Sequence, residues 1–208
     1  MEVIKTLPAI FEEFGEQRRN SFMTAYETKQ KNIPFVGTFC TYTPTEVIMA
    51  AGAIPVGLCS FSDETIADAE QDLPRNLCPL VKSSYGFAKT QKCPYFYFSD
   101  LIIGETTCDG KKKMYELLGE IKDTHIMELP NRQSPMGRKL WKEEVIALKE
   151  KLEEKFGVTI TEEKLREQVK LSNENRLALR HFYELMKLDP PPMAGLNLYS
   201  VLYGSSFK

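Results

Sequence analysis

Apolar residues follow two rhythms along this chain. Short apolar runs closed by turn signals alternate with longer segments whose apolar positions recur every three or four residues. Between residues 4 and 28, Leu7, Ile10, Phe11, Phe14, Phe22 and Tyr26 recur at helical spacing among charged residues, which predicts an amphipathic helix. Pro34 to Cys40 predicts a strand. Thr43-Pro44-Thr45-Glu46 predicts a helix start, with Thr at the N-cap, Pro at the first helical position and Glu closing a capping box. That helix stops at Gly52. Ile54 to Cys59 predicts a second strand. A helix from Asp63 or Glu64 ends at Pro74, and Cys78-Pro79 opens another that runs to Lys89. Leu101 to Glu105 predicts a third strand, Asp109 caps a helix from Gly110 to Glu120, and His125 to Leu129 predicts a fourth strand.

After Pro130 the texture changes. Lys, Glu, Leu and Arg dominate two long helical patterns, 136–155 and 161–187, punctuated by Gly157 and Thr161. Pro190-Pro191-Pro192 ends the second, and a last helix spans Ala194 to Tyr203. Trp141 reads as core of this helical layer. Strands alternating with helices imply an α/β fold: a small doubly wound parallel sheet of about four strands, flavodoxin- or Rossmann-like, with an added C-terminal helical segment. The expected division is an α/β unit with its N-terminal helix at 1–133 and a helical segment at 134–208 packing on it.

Composition narrows the function classes. The 208 residues are 42% hydrophobic and 27% charged, as in a folded globular chain. A formal net charge of −2 argues against a nucleic-acid or membrane-surface binder. The opening MEVIKTLPAIFEEFGEQRRN has no leader-like apolar core. The longest apolar stretch, Val47 to Cys59, is too short for a bilayer and holds Gly52, Pro55 and Gly57. A cytoplasmic protein is expected.

The five cysteines carry the candidate chemistry: Cys40, Cys59, Cys78, Cys93 and Cys108. An odd number at wide spacings is a poor disulfide framework. In an open α/β sheet, ligands sit at the carboxyl ends of the strands. Cys40 and Cys59 end predicted strands, Cys108 follows the third, and Cys78 precedes a helix. Helix N-termini beside Cys40, Cys78 and Cys108 stabilise anionic sulfur. Any one cysteine alone reads as a small core residue, and the spacings match no compact metal motif. The coincidence of three cysteines with three helix starts favours a ligand set. An anionic iron–sulfur cluster, a zinc ion, and a non-catalytic α/β binding or scaffold domain with structural cysteines all remain open at this point.

Other polar residues have plainer readings. Glu46 reads as a capping residue rather than a base. Lys111-Lys112-Lys113 opens a helix, an unfavourable place for cations, and reads as a solvated face, with a phosphate or partner-protein contact as the sharper alternative. Lys82, Ser83, Ser84 and Tyr85 follow Cys78 on its helix, where they can line a cleft. Arg75 is placed to offset cluster charge. His125 and His181 form no triad.

The segments "GTFCTYTPTEVIMAAGAIPVGLC", "DLPRNLCPLVKSSYGF", "CPYFYFSDLIIGETTCDGKKKMYELL" and "MELPN" together resemble the 2-hydroxyacyl-CoA dehydratase (D-component) and benzoyl-CoA reductase family. Within it, the motifs are most similar to the branch of double-cubane cluster proteins and dehydratase subunits. The resemblance implies an oxygen-sensitive iron–sulfur protein that takes low-potential electrons from a separate ATP-hydrolysing iron–sulfur activator. It implies either dehydration of a 2-hydroxyacyl-CoA through a ketyl radical or reduction of a small molecule at two cubanes sharing a sulfide. Carried onto this sequence, Cys40 and Cys78 match the family's first two cluster cysteines, and Cys108 fits a third as in the double-cubane branch. Cys59 is a weaker ligand candidate, and Cys93 reads as structural. A homo- or heterodimer is expected, with no nucleic-acid or membrane partner. Family members are longer and carry a second α/β domain, so the sequence reads as an N-terminal half. In that half alone the cluster is expected to be absent or incomplete, and the half to be inactive by itself.

Overall fold

The computed structural model describes residues 6–204, and the structural statements below refer to them. Four strands form one all-parallel sheet: β1 (Phe35–Thr38), β2 (Ile54–Gly57), β3 (Ser99–Glu105) and β4 (Thr124–Met127), in the order β2-β1-β3-β4. This is the beginning of the flavodoxin-type order, in which the chain winds first to one side of β1 and then to the other.

Side-chain alternation along the strands builds two cores. Phe35, Val56 and Ile102 face α1 (Glu16–Gln30), α4 (Pro79–Lys89), α5 (Pro94–Phe98) and α6 (Asp109–Ile121), where Phe22, Tyr85, Phe98 and Met114 are buried with them. Val36, Leu101, Ile103 and Met127 face the opposite way, onto α2 (Thr45–Ala50) and α7 (Pro135–Phe156) through Val47, Ile48, Leu148 and Leu152. Trp141 packs against this second core, as its apolar spacing implies. The sheet is therefore doubly wound, with a helical layer on each face.

The long helices start and stop where the sequence signals lie. Ser134 accepts the Gly137 N–H at 3.1 Å, and α7 ends at Gly157 with φ +65°. Thr161 accepts the Lys164 N–H at 3.3 Å to open α8 (Glu162–Glu184). Arg176 of α8 pairs with Glu46 of α2 and ties α8 to the α/β body. The last helix, α9, spans Gly195–Gly204.

Four expectations change. The N-terminal helix begins at Glu16, after a single 3₁₀ turn at Phe11–Glu13. Phe14 stacks on Phe22 at 5.0 Å and Phe11 meets the same ring edge-on at 6.3 Å, so aromatic packing folds the leading segment back. Residues 4 and 5 of that predicted helix lie outside the described residues. The helix after Asp63 is only one turn, α3 (Ile66–Ala69). Cys108, not Asp109, is the N-cap of α6, and α5 is an element that the hydrophobic pattern does not predict.

The amino edge of the sheet is closed by a buried ion pair. The β1–β3 register shifts between Phe35 and Val36, which leaves Asp100 as the extra residue of a bulge. Its carboxylate lies 2.5 Å from Lys29 Nζ, with 1% and 5% side-chain exposure for Lys29 and Asp100, and it accepts the Phe35 N–H at 2.9 Å. One carboxylate thus joins the end of α1 to the starts of β1 and β3. Asp100→Ala leaves a buried ammonium without its counter-charge and is expected to cost about 3–5 kcal/mol. Urea unfolding measures this; a loss below about 1 kcal/mol would show that the pair does not hold this edge.

Candidate functional site at the carboxyl edge

The strand order reverses between β1 and β3, the topological position beyond whose carboxyl ends open α/β sheets commonly bind ligands. Cys40 stands there, two residues past β1, with φ +62°. That left-handed conformation costs a non-glycine residue about 1–2 kcal/mol, and such positions gather at functional sites. Cys40 is an exposed residue whose sulfur lies 2.5 Å from Lys111 Nζ and 3.5 Å from Thr107 Oγ1.

Lys111 is the main residue missed by sequence reasoning. It is buried, not solvated, in the first turn of α6. The buried residues of α6 are Lys111, Met114, Tyr115 and Leu118, one helical face. The signal was present: of the three lysines, this one occupies the first position of the apolar stripe. Its Nζ also lies 3.9 Å from Cys59 Sγ and 5.6 Å from the centre of the Phe39 ring. Burial pulls its pKa down, but the Cys40 and Cys59 sulfurs and the Glu105 carboxyl outweigh that and raise it. Lys112 and Lys113 are exposed and pair with Asp109 and Glu116.

Behind Lys111, Glu105 ends β3 fully buried. Its Oε1 accepts the Thr43 hydroxyl at 2.5 Å, while its Oε2 and the nearby Tyr115 hydroxyl have no hydrogen-bond partner among the described residues. Burial pushes the Glu105 pKa up against the Thr43 hydrogen bond and the charge of Lys111. Burial also raises that of Tyr115, helped by Cys40 and Glu105. The capping box is therefore not formed. Thr43 turns inward to Glu105, Pro44 takes the N-cap without a side-chain cap bond, and Glu46 is engaged by Arg176.

Cys78 and Cys108 are exposed N-cap residues of α4 and α6, and neither side chain caps its helix. The two helix starts touch: a Cβ added at Gly110 would stand 2.9 Å from Leu77 Cδ1. Free N–H groups of two helix termini are thereby brought to one edge. Cys59 is half-buried two residues past β2 and also lines a cleft of about 690 Å³ with Arg18, Phe87 and Cys93. Among the described residues, no three His, Cys, Asp or Glu side chains converge tightly enough for a single metal ion. A four-iron cluster makes a different demand. It is several ångströms across and takes thiolates that stand apart, with N–H donors and compensating charge around them. Exposed thiols at two helix N-termini and beside an ammonium fit that demand.

Most of the remaining candidates have partners within the fold. Lys82 is buried against Glu70 at 2.7 Å and the Arg75 carbonyl at 2.8 Å. Ser83 donates to the Ser62 carbonyl, Ser84 accepts the Ser60 N–H, and Tyr85 donates to Asp72, so together these residues pin the 60–75 loop. Arg75 is exposed beside Glu70. Cys93 accepts the Phe96 N–H at 3.4 Å, and burial pushes its thiol pKa up. His125 is half-buried and burial lowers its pKa; His181 is exposed on α8.

The fold and this edge define a doubly wound α/β protein with Cys40 and Lys111 beyond the switch point of its sheet and Cys78 and Cys108 at two neighbouring helix starts. The family profile described as "2-hydroxyglutaryl-CoA dehydratase, D-component" matches residues 40–208, and the chain belongs to that family. It is 54% identical over 209 residues to "Putative dehydratase subunit YjiM" of Escherichia coli (strain K12), covering 100% of this chain and 55% of that protein. It is 25% identical to a benzoyl-CoA reductase component of Thauera aromatica, over 77% of this chain and 42% of that one. It is 28% identical to "(R)-phenyllactyl-CoA dehydratase beta subunit" of Clostridium sporogenes, over 86% and 48%. The chain thus spans about half the length of the curated relatives it matches. Among the described residues, no helix is long and apolar enough to cross a membrane.

Burial of Glu105 has a pH signature. Its folded pKa lies above the ordinary 4.5, so the folded chain keeps a proton that the unfolded chain has lost. Unfolding free energy from this group falls as pH rises from below 4.5 through the folded value. Glu105→Gln abolishes that fall, so the variant should gain on the wild type as pH rises above 4.5 in urea titrations. Parallel profiles for the two proteins would contradict the burial of Glu105.

Proposed function

We propose that this chain is the N-terminal α/β half of an iron–sulfur subunit in an ATP-activated, low-potential dehydratase or reductase. In this reading Cys40, Cys78 and Cys108 hold a four-iron cluster, residues 1–133 form the cluster-bearing unit, and residues 134–208 form its helical cover. The observation that carries it is the sharing of one sheet edge by three exposed thiols, two helix N-termini and a buried ammonium. Family membership supports the same chemistry. The relatives' names describe one component of a benzoyl-CoA reductase and the beta subunits of lactoyl-CoA and (R)-phenyllactyl-CoA dehydratases. Those names support a multi-subunit assembly and an acyl-CoA thioester as substrate. A separate activator ATPase belongs to this reading as the electron source.

When bound, the cluster supplies electrons of low potential and an iron position open to substrate. The chain's own residues shape where it sits. The left-handed backbone at Cys40 holds the first sulfur against Lys111 and Thr107. The N-termini of α4 and α6 favour negative charge beside Cys78 and Cys108. Phe39 and Tyr115, 5.6 Å apart, wall the floor beneath Lys111 and keep it dry.

The full-length protein, purified without oxygen, should be brown and hold iron and sulfide in near-equal amounts. Cys40→Ser, Cys78→Ser and Cys108→Ser should each lower bound iron several-fold, while Cys93→Ser leaves it unchanged. Colourless, iron-free protein after anaerobic reconstitution would sink the proposal, as would a loss confined to Cys59→Ser or Cys93→Ser.

A further inference from the structure

Lys111 is a buried cation whose neighbours are unusual. Its ammonium meets the Cys40 sulfur at 2.5 Å, the Cys59 sulfur at 3.9 Å and the Phe39 ring. Among the described residues no carboxylate oxygen stands within ion-pair distance of it, whereas buried Lys29 and Lys82 each have one. Burying an ammonium without a counter-ion costs several kcal/mol. A methionine at this stripe position would avoid that cost. The charge therefore faces the Cys40 and Cys59 sulfurs, where a negatively charged group bound at this edge would meet it.

We propose that Lys111 is a positioning residue of the thiol edge, acting through Cys40: it holds that sulfur in place and offsets the negative charge of a reduced cluster bound there. The proposal rests on the cluster reading above. One-electron reduction takes an electron from a low-potential donor and adds one negative charge, with no bond made or broken. A fixed cation on a ligating sulfur favours the more negative state and raises the reduction potential.

The test uses the full-length protein, reconstituted without oxygen, with iron and sulfide counted before each redox titration. Lys111→Met should keep its iron and shift to a more negative potential by at least a tenfold change in the one-electron equilibrium, about 59 mV. Lys111→Arg should recover most of the shift, and the exposed control Lys112→Met should show none. Equal potentials in wild type and Lys111→Met at equal iron content overturn the proposal. A second arm needs no metal. o-Phthalaldehyde joins an adjacent amine and thiol as an isoindole with loss of two waters. Applied to metal-free wild type, it should link Lys111 to Cys40 in the peptide mass map, and absence of that link overturns the proposal. If the wild type binds no iron at all, the cluster reading falls, and the isoindole arm alone decides whether Lys111 holds Cys40.

Discussion

The adjacency of β1 and β3 at the centre of the sheet is the constraint on which the rest depends. Val36 to Thr38 pair with Leu101 to Ile103, and the Phe39 N–H extends the pairing to the Ile103 carbonyl. Past that point the chain leaves β1 for one face of the sheet and β3 for the other. Cys40 and Thr43 come from the first exit; Glu105, Thr107, Cys108 and Lys111 come from the second. No segment contains both sets, so the site exists only because two strands that are distant in sequence are neighbours in space.

The same two strands carry a buried lysine at each end, and the contrast is informative. At the amino edge Lys29 is neutralised by Asp100, and nearby Lys122 donates to the Tyr97 and Ser99 carbonyls, its pKa drawn down to about 8 by burial. These contacts close the edge. At the carboxyl edge the ammonium of Lys111 meets the sulfur of Cys40, an exposed residue. One end of the sheet is closed by an ion pair, and at the other the buried ammonium faces cysteine sulfur. Pairing accounts for the buried charge at the amino edge, whereas the buried charge at the carboxyl edge belongs to the proposed site.

Much of this was legible from residue order. Short apolar runs closed by turn signals placed four strands, Gly157 and Thr161 marked the gap between α7 and α8, and Cys78-Pro79 marked the start of α4. The misreadings share a cause, which is that a side chain has one local use and several distant ones. Thr43 satisfies a capping-box pattern locally, yet a buried carboxylate 62 residues away takes its hydroxyl. Lys82 to Tyr85 suit a cleft by position, but loop carbonyls and carboxylates claim them. Lys111 sits in a run of three identical residues, and only helical phase distinguishes the buried one from its exposed neighbours.

By itself, the sequence determined the doubly wound α/β class, the positions of the thiols at strand ends and helix starts, and membership in a family whose motifs span those thiols. These are properties of local periodicity and local chemistry. Tertiary structure alone decided that Lys111 lies on Cys40, that Thr43 serves Glu105 rather than its own helix, and that the starts of α4 and α6 touch at Gly110 and Leu77. The physical reason is burial. Which polar atom loses water, and which partner must then replace it, depends on what the opposite strand brings, and the order of residues along one segment does not carry that information.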